Sequence, residues 1–118
     1  MKSYKELTVY QKAYELSLQV YQITCKFPAE EKFGLISQMR RCAVSMPCNI
    51  AEGYRRRGRK EYIHFLYVAL GSCGELETLL SLSKDLKMIE NGNYRFLYSL
   101  QEEVSKMLSR LITSLGKE

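Results

Sequence analysis

The stretch SMPCNIAEGYRRRGRK, residues 45–60, decides how the chain is read. It sets a proline inside a helical pattern and then gathers positive charge. Leu35, Met39, Cys42, Met46 and Ile50 follow one another at spacings of 4-3-4-4, the repeat of a helix face buried on one side. Pro47 falls within that run. Proline has no backbone N–H, and its ring collides with the carbonyl four residues back, here that of Ala43, at a cost of ~3 kcal/mol in a helix interior. The sequence therefore predicts a helix that bends or breaks at Pro47. Ser45 and Asn49 flank the proline with short polar side chains suited to hydrogen-bonding the disturbed backbone. Gly53 reads as a helix C-cap, and Arg55, Arg56, Arg57, Arg59 and Lys60 follow it. A bend at Pro47 would redirect the end of the helix so that the arginine-rich turn projects from the protein.

Helical periods extend to both sides. Val9, Ala13, Leu16, Val20, Ile23 and Phe27 are spaced 4-3-4-3-4, and Tyr14, Leu18, Tyr21 and Cys25 form a second seam beside them. The first helix thus has an apolar face wide enough to touch more than one neighbour. Thr8 is placed to cap its start, and Phe27-Pro28 ends it. The second helix is expected to begin near Glu30 and Glu31, whose charges suit a helix N-terminus.

A third helix is expected from Gly58–Lys60 to about Leu86, with Tyr62, Leu66, Ala69, Cys73, Leu76 and Leu80 on its face. The small residues of ALGSCGE, 69–75, interrupt it. Glycine in a helix costs ~1 kcal/mol against alanine, so close approach of another helix is expected there. ENGN, 90–93, signals a turn before a fourth helix carrying Leu97, Leu100, Val104, Met107, Leu111 and Leu115. No strand pattern of useful length, low-complexity tract or internal repeat occurs. The fold class is all-α: an antiparallel up-down-up-down four-helix bundle in a single domain, residues 1–118.

Composition narrows the function classes. Hydrophobic residues make up 46% of the chain, enough for a core. The first residues carry charges throughout and hold no apolar signal run. No stretch approaches the roughly 20 uncharged apolar residues of a membrane span. A cytoplasmic protein with no membrane partner is expected, with Cys25, Cys42, Cys48 and Cys73 as reduced thiols that read as buried small apolar residues. Their spacings contain no CxxC and the chain has 1 histidine, which argues against a zinc site. No glycine-rich phosphate loop follows a strand, no Ser/His/Asp set can be assembled, and no cofactor is expected. The carboxylates Glu102 and Glu103 read as solvated.

Net charge is +5, but it is not spread evenly. From Arg40 to Lys60 there are seven bases and one acid, Glu52; the remainder holds 11 bases and 12 acids. A local cationic patch is the footprint of a polyanion-binding surface.

YKELTVYQKAYEL, FPAEEKFGLISQMRRCAVSMPCNIAEGYRR and FLYVALGSCGELETLL together resemble one family. It is the small four-helix-bundle family encoded within intervening sequences of bacterial 23S rRNA genes. The resemblance covers nearly the whole chain. It implies a bacterial, cytosolic protein that assembles as a homopentamer and has no known enzymatic activity. Nucleic-acid binding is proposed for the family, and a related branch serves beside reverse transcriptases in diversity-generating retroelements. The family pattern falls on Arg40, Arg41, Ser45, Pro47, Asn49, Ala51, Glu52, Gly53 and Arg56. This chain departs from it at Gly58, where the family often has a serine cap before the third helix.

Three candidate sites follow. The first is Arg55, Arg56, Arg57, Arg59 and Lys60, with Tyr54 and Tyr62 near enough to stack on unpaired bases of RNA or other nucleic acid. The second is Arg40 and Arg41 with Asn49 and Glu52. Adjacent helical positions point about 100° apart, so one arginine is expected to pair with Glu52 as a brace around the proline, leaving the other outward. Arg41 is counted with the nucleic-acid-binding residues, and Arg40, Ser45, Pro47, Asn49, Glu52 and Gly53 with the structural motif. The third is Arg59-x4-His64, which resembles the motif of HEPN-type ribonucleases, also helical bundles, where arginine and histidine act on RNA without metal. The sequence reading favours a non-enzymatic, homo-oligomeric nucleic-acid binder. A protein-partner scaffold or reverse-transcriptase accessory factor is one alternative, and the ribonuclease is the other.

Overall fold

A computed structural model describes residues 3–117; residues 1, 2 and 118, the ends of the expected domain, lie outside it. Four helices account for most of the chain: α1 Thr8–Thr24, α2 Leu35–Arg55, α3 Arg59–Asp85 and α4 Asn91–Gly116. Short 3-10 turns at Tyr4–Glu6 and Ala29–Glu31 precede α1 and α2. No strand occurs among the described residues. Each helix packs on the next, and α4 returns to α1.

Pairs of touching residues give the directions. Ser17 meets Ala43 and Thr24 meets Arg40. Ser45 meets Ser72 and Met39 meets Ser83. Glu77 meets Gln101 and Lys84 meets Tyr94. In every set one number rises as the other falls, so α1–α2, α2–α3 and α3–α4 are antiparallel. The result is a four-helix bundle 46 Å long and about 20 Å across. Its core is built from the expected faces of α1 to α3 and the first half of α4, with Leu16, Val20, Met39, Met46, Ile50, Leu66, Leu76, Leu80, Leu97 and Val104 fully buried. Beyond Val104 the buried line of α4 runs through Leu108 and Ile112, and the expected Met107, Leu111 and Leu115 are half-buried.

Helix ends depart from the sequence reading. α1 begins at Thr8, but its cap position is Leu7 and no side chain caps it. α2 begins at Leu35 rather than near Glu30 and Glu31. Those acids form the preceding turn, and Glu31 Oε1 accepts from the Leu35 amide at 3.2 Å. The acid still serves the helix start, from outside it. The turn before α4 also lies earlier than ENGN. Lys87 takes the left-handed conformation (φ 60°), and Met88 N–H donates to Ser83 O at 2.9 Å. This is the helix-ending pattern in which glycine is usual; Asn91 already belongs to α4.

Two glycine readings are corrected. Gly53 does not end α2, which continues to Arg55. Gly53 is buried where α2 crosses α3: a Cβ there would lie 2.8 Å from Phe65 Cβ and 3.2 Å from the Tyr62 carbonyl. Close approach was expected instead at Gly71 and Gly74, yet an added Cβ at either meets nothing within 4 Å. The second seam of α1 faces outward as well, with Tyr14 and Leu18 each 52% exposed.

Among the described residues α3 alone is long and apolar enough to cross a membrane, with mean hydropathy 1.3 over its best window. In the bundle its face of Leu66, Ala69, Cys73, Leu76 and Leu80 is core.

Candidate nucleic-acid interface

Pro47 neither breaks α2 nor leaves its backbone unsatisfied. The helix runs unbroken from Leu35 to Arg55 with Pro47 buried inside it. The carbonyl that loses its helical donor is that of Ala43, and Ser17 Oγ of α1 donates to it at 2.9 Å. A neighbouring helix supplies the hydrogen bond that proline cannot. Asn49 Nδ2 donates to the Ser45 carbonyl at 2.8 Å, and Ser72 Oγ of α3 meets Ser45 Oγ at 2.8 Å. Ser45 thus joins α2 to α3, Asn49 holds Ser45 from within α2, and Ser17 joins α2 to α1. The arginine-rich turn projects because it is the three-residue link at the end of the bundle, residues 56–58.

That link is built around Gly58, whose φ of 98° lies where a side chain is strained. A serine held in this backbone conformation would be strained. Arg55 and Arg56 close α2, Arg57 precedes Gly58, and Arg59 and Lys60 open α3; all five are exposed.

The five cations divide by their contacts. Arg55 lies over the Tyr4 ring at 5.5 Å. Arg56 Nε donates to Glu52 Oε2 at 2.8 Å, and its guanidinium lies 5.1 Å from the Phe65 ring centroid. Glu52 therefore pairs one turn ahead with Arg56, not with Arg40 or Arg41. The ion pairs among the described residues are this one and Lys12–Glu103. Arg57, Arg59 and Lys60 have no carboxylate within ion-pairing distance among those residues. Arg59 and Lys60 also occupy the positive end of the α3 dipole, where a cation is unfavourable by roughly 0.3–1 kcal/mol. Helix stability gives no reason for them to be there.

Arg40 and Arg41 have separate fates. Arg40 Nε donates to Thr24 Oγ1 at 3.0 Å and Nη2 to the Tyr21 carbonyl at 3.3 Å, with the guanidinium 4.5 Å from the Tyr21 ring centroid. It braces the C-terminal end of α1, where a cation complements the helix dipole. The brace joins α1 to α2 and lies away from the proline. Arg41 is exposed. It precedes Arg55 by 14 positions, about 20 Å along the helix, so the structure does not bring it into the junction.

Tyr54 and Tyr62 stand edge to face, centroids 6.0 Å apart, and Tyr54 continues to Tyr4 at 6.4 Å. Burial pushes the Tyr62 hydroxyl pKa up. These rings form an aromatic layer beneath the arginines. Arg59 and His64 lie five positions apart on one helix, about 140° round its axis. His64 packs its ring edge to face with Phe65 at 5.3 Å. The two side chains do not converge on a common point. Sequence reasoning missed Ser17, Thr24 and Tyr4, and read Phe65 only as part of the apolar face of α3, not as the ring under Arg56; the hydroxyls of Ser17 and Thr24 on an apolar helix face were the available signal.

Between α1 and α2 lies an open groove of about 420 Å³, lined mainly by Tyr10, Tyr14, Leu18, Tyr21, Val44 and Cys48. A cavity of about 510 Å³ at the far end of the bundle is bordered by Lys26, Lys84 and Lys87.

Residues 5–110 match the family described as 23S rRNA-intervening sequence protein. The chain belongs to that family. The match spans all of α1, α2 and α3, and with them the Pro47 helix and the cationic junction. A crystal structure of a protein of unknown function from the S23 ribosomal protein family of Bacteroides thetaiotaomicron VPI-5482 superposes with a TM-score of 0.81. The two are 24% identical, over 89% of this chain and 98% of that one. Family membership and this neighbour share one architecture, the bundle described above. No protein of curated function matches the chain.

Proposed function

We propose that this protein is a non-enzymatic, self-associating four-helix bundle that binds RNA or other nucleic acid through the junction Arg55–Lys60. The observation that carries the reading is the state of the junction's charges. Five cations project from one end of the bundle, and one carboxylate, Glu52, is ion-paired to one of them. Arg57, Arg59 and Lys60 are left for an external anion, two of them at a helix end that disfavours them. Arginine grips phosphate bidentately, and Arg55 and Arg56 are pre-oriented by the rings beneath them. Phosphate contacts of this kind give affinity without base selection. Assembly into the homopentamer that the family resemblance implies would place five such junctions on one particle and multiply their avidity.

The test is a titration of purified protein with labelled single-stranded RNA, single-stranded DNA and duplexes across a salt series. Wild-type affinity should fall linearly on a log–log plot. The triple variant Arg57→Ala/Arg59→Ala/Lys60→Ala should lose about two to three of that slope, at roughly 0.7–0.9 per phosphate contact. Binding with no salt dependence, or a slope unchanged in the triple variant, defeats the proposal. Metal-independent RNA cleavage lost in His64→Ala would favour the ribonuclease instead.

A further inference from the structure

Two apolar faces of the bundle have no partner among the described residues, and they differ in shape. One is the groove between α1 and α2. The other is a ridge along α3, where Tyr67, Val68, Gly71, Gly74, Thr78 and Leu82 are exposed, Tyr67 by 56%. Gly71 and Gly74 are costly in a helix, by ~1 kcal/mol each against alanine. Nothing among the described residues repays that cost, because an added Cβ at either meets nothing within 4 Å. Small residues on a helix allow another surface to come close to its backbone. The ridge is flattened where the glycines lie and apolar on both sides of them. The groove is concave and walled by tyrosine and leucine.

Charge fits the same pairing. Arg41 is exposed one turn before Val44, beside the groove, and Glu75 is exposed one turn after Gly71, beside the ridge. Neither forms an ion pair with another described residue.

We propose that the α3 ridge of one copy seats in the α1–α2 groove of the next, with Glu75 facing the neighbour's Arg41. This rests on the self-association read above and specifies how it is made. The contact is heterologous: each subunit uses two different faces, so copies add head to tail until the ring closes. Of the junction only the Tyr4 ring beneath Arg55 borders the groove, and Arg57, Arg59 and Lys60 do not line it, so the unpaired cations stay free on every subunit.

Molar mass by light scattering tests the pairing, with circular dichroism as the check on folding. Wild type should run as a multiple of its 13.8 kDa chain. Gly71→Gln/Gly74→Gln fills the ridge with side chains that a lone subunit accommodates, and should yield a helical monomer. Leu18→Gln/Val44→Gln spoils the groove and should do the same. Mixed one to one, the two variants should form a complex of about 28 kDa and stop there, because each retains the face that the other lacks. Arg41→Glu and Glu75→Arg should each weaken assembly at low salt and restore it when combined. This readout remains if a glutamine variant fails to fold. An oligomeric wild type whose mass neither variant pair changes, or a mixture that stays monomeric, overturns the pairing alone. A monomeric wild type overturns the self-association reading with it, and leaves both faces to a protein or nucleic-acid partner.

Discussion

Ser17→Ala is the sharpest test of how α2 tolerates Pro47. The hydroxyl of Ser17 reaches two carbonyls, its own helix's Ala13 at 3.1 Å and Ala43 across the interface at 2.9 Å. Ala13 O lies within the α1 ladder, so its loss is minor. Ala43 O has no helical donor, and Ala43 is fully buried. Removing the hydroxyl leaves a buried acceptor unpaired, which costs about 1–3 kcal/mol. A chain of 118 residues loses about 4 °C in Tm per kcal/mol, so Ser17→Ala should melt about 4–12 °C lower. Pro47→Ala supplies the control. Alanine restores an N–H aimed at the Ala43 carbonyl, so in that background Ser17→Ala should cost under about 0.5 kcal/mol. The coupling from the double-mutant cycle should therefore be about 1 kcal/mol or more. Urea melts followed at 222 nm, at one fixed protein concentration because assembly adds to stability, give all four values. Equal costs of Ser17→Ala in both backgrounds would refute the account.

Other outcomes follow from the same contacts. Gly53→Ala should destabilise by about 1–3 kcal/mol by denaturant melting, although alanine is the better helix former, because its Cβ meets Phe65 and the Tyr62 backbone. Arg40→Ala should lower Tm by several degrees through loss of the Thr24 and Tyr21 contacts. Arg40→Lys should recover little of this, since one ammonium cannot reproduce the guanidinium's spread of donors. Burial pushes the Cys42 and Cys73 thiols up to about 12, whereas Cys25 and Cys48, expected to be buried, are exposed, Cys25 at the end of α1 and Cys48 on the outer side of α2. A thiol reagent at pH 8 should modify Cys25 in the assembled protein, and Cys48 as well once the groove is freed, as in Gly71→Gln/Gly74→Gln; it should reach Cys42 and Cys73 only on unfolding. The buried pair contributes no pH dependence below pH 9. Between there and about 12 the unfolded chain releases protons that the folded one retains, so stability should fall as pH rises through that window.

Much of this was legible in the sequence because helix faces repeat. The 4-3 spacings marked most buried residues of α1, α2 and α3 and of α4 as far as Val104, but then picked Met107, Leu111 and Leu115 where Leu108 and Ile112 are buried; Pro47 announced a disturbed carbonyl. What repaired the carbonyl was not legible: Ser17 lies 26 positions from Ala43, and only packing brings them together. Helix ends were misplaced for a similar reason. The left-handed residue that ends α3 is Lys87, which carries no glycine signal, while the glycine in ENGN lies inside α4. A glycine says that room is needed without saying for what: at Gly53 another helix of the same chain uses it, and at Gly71 and Gly74 none does. The cationic junction was plain as composition. Its division into two braced arginines and three unpaired cations needed the positions of Tyr4, Phe65 and Glu52.

Arg59 and Lys60 crowd positive charge against the positive end of α3. The unliganded molecule thus stores electrostatic tension at one tip. Simple salt should relax it, so moderate ionic strength ought to raise the melting temperature of the free protein while weakening its hold on a polyanion. A phosphate seated there would quench side-chain charge and backbone dipole together, so occupancy and folding would reinforce each other at this tip.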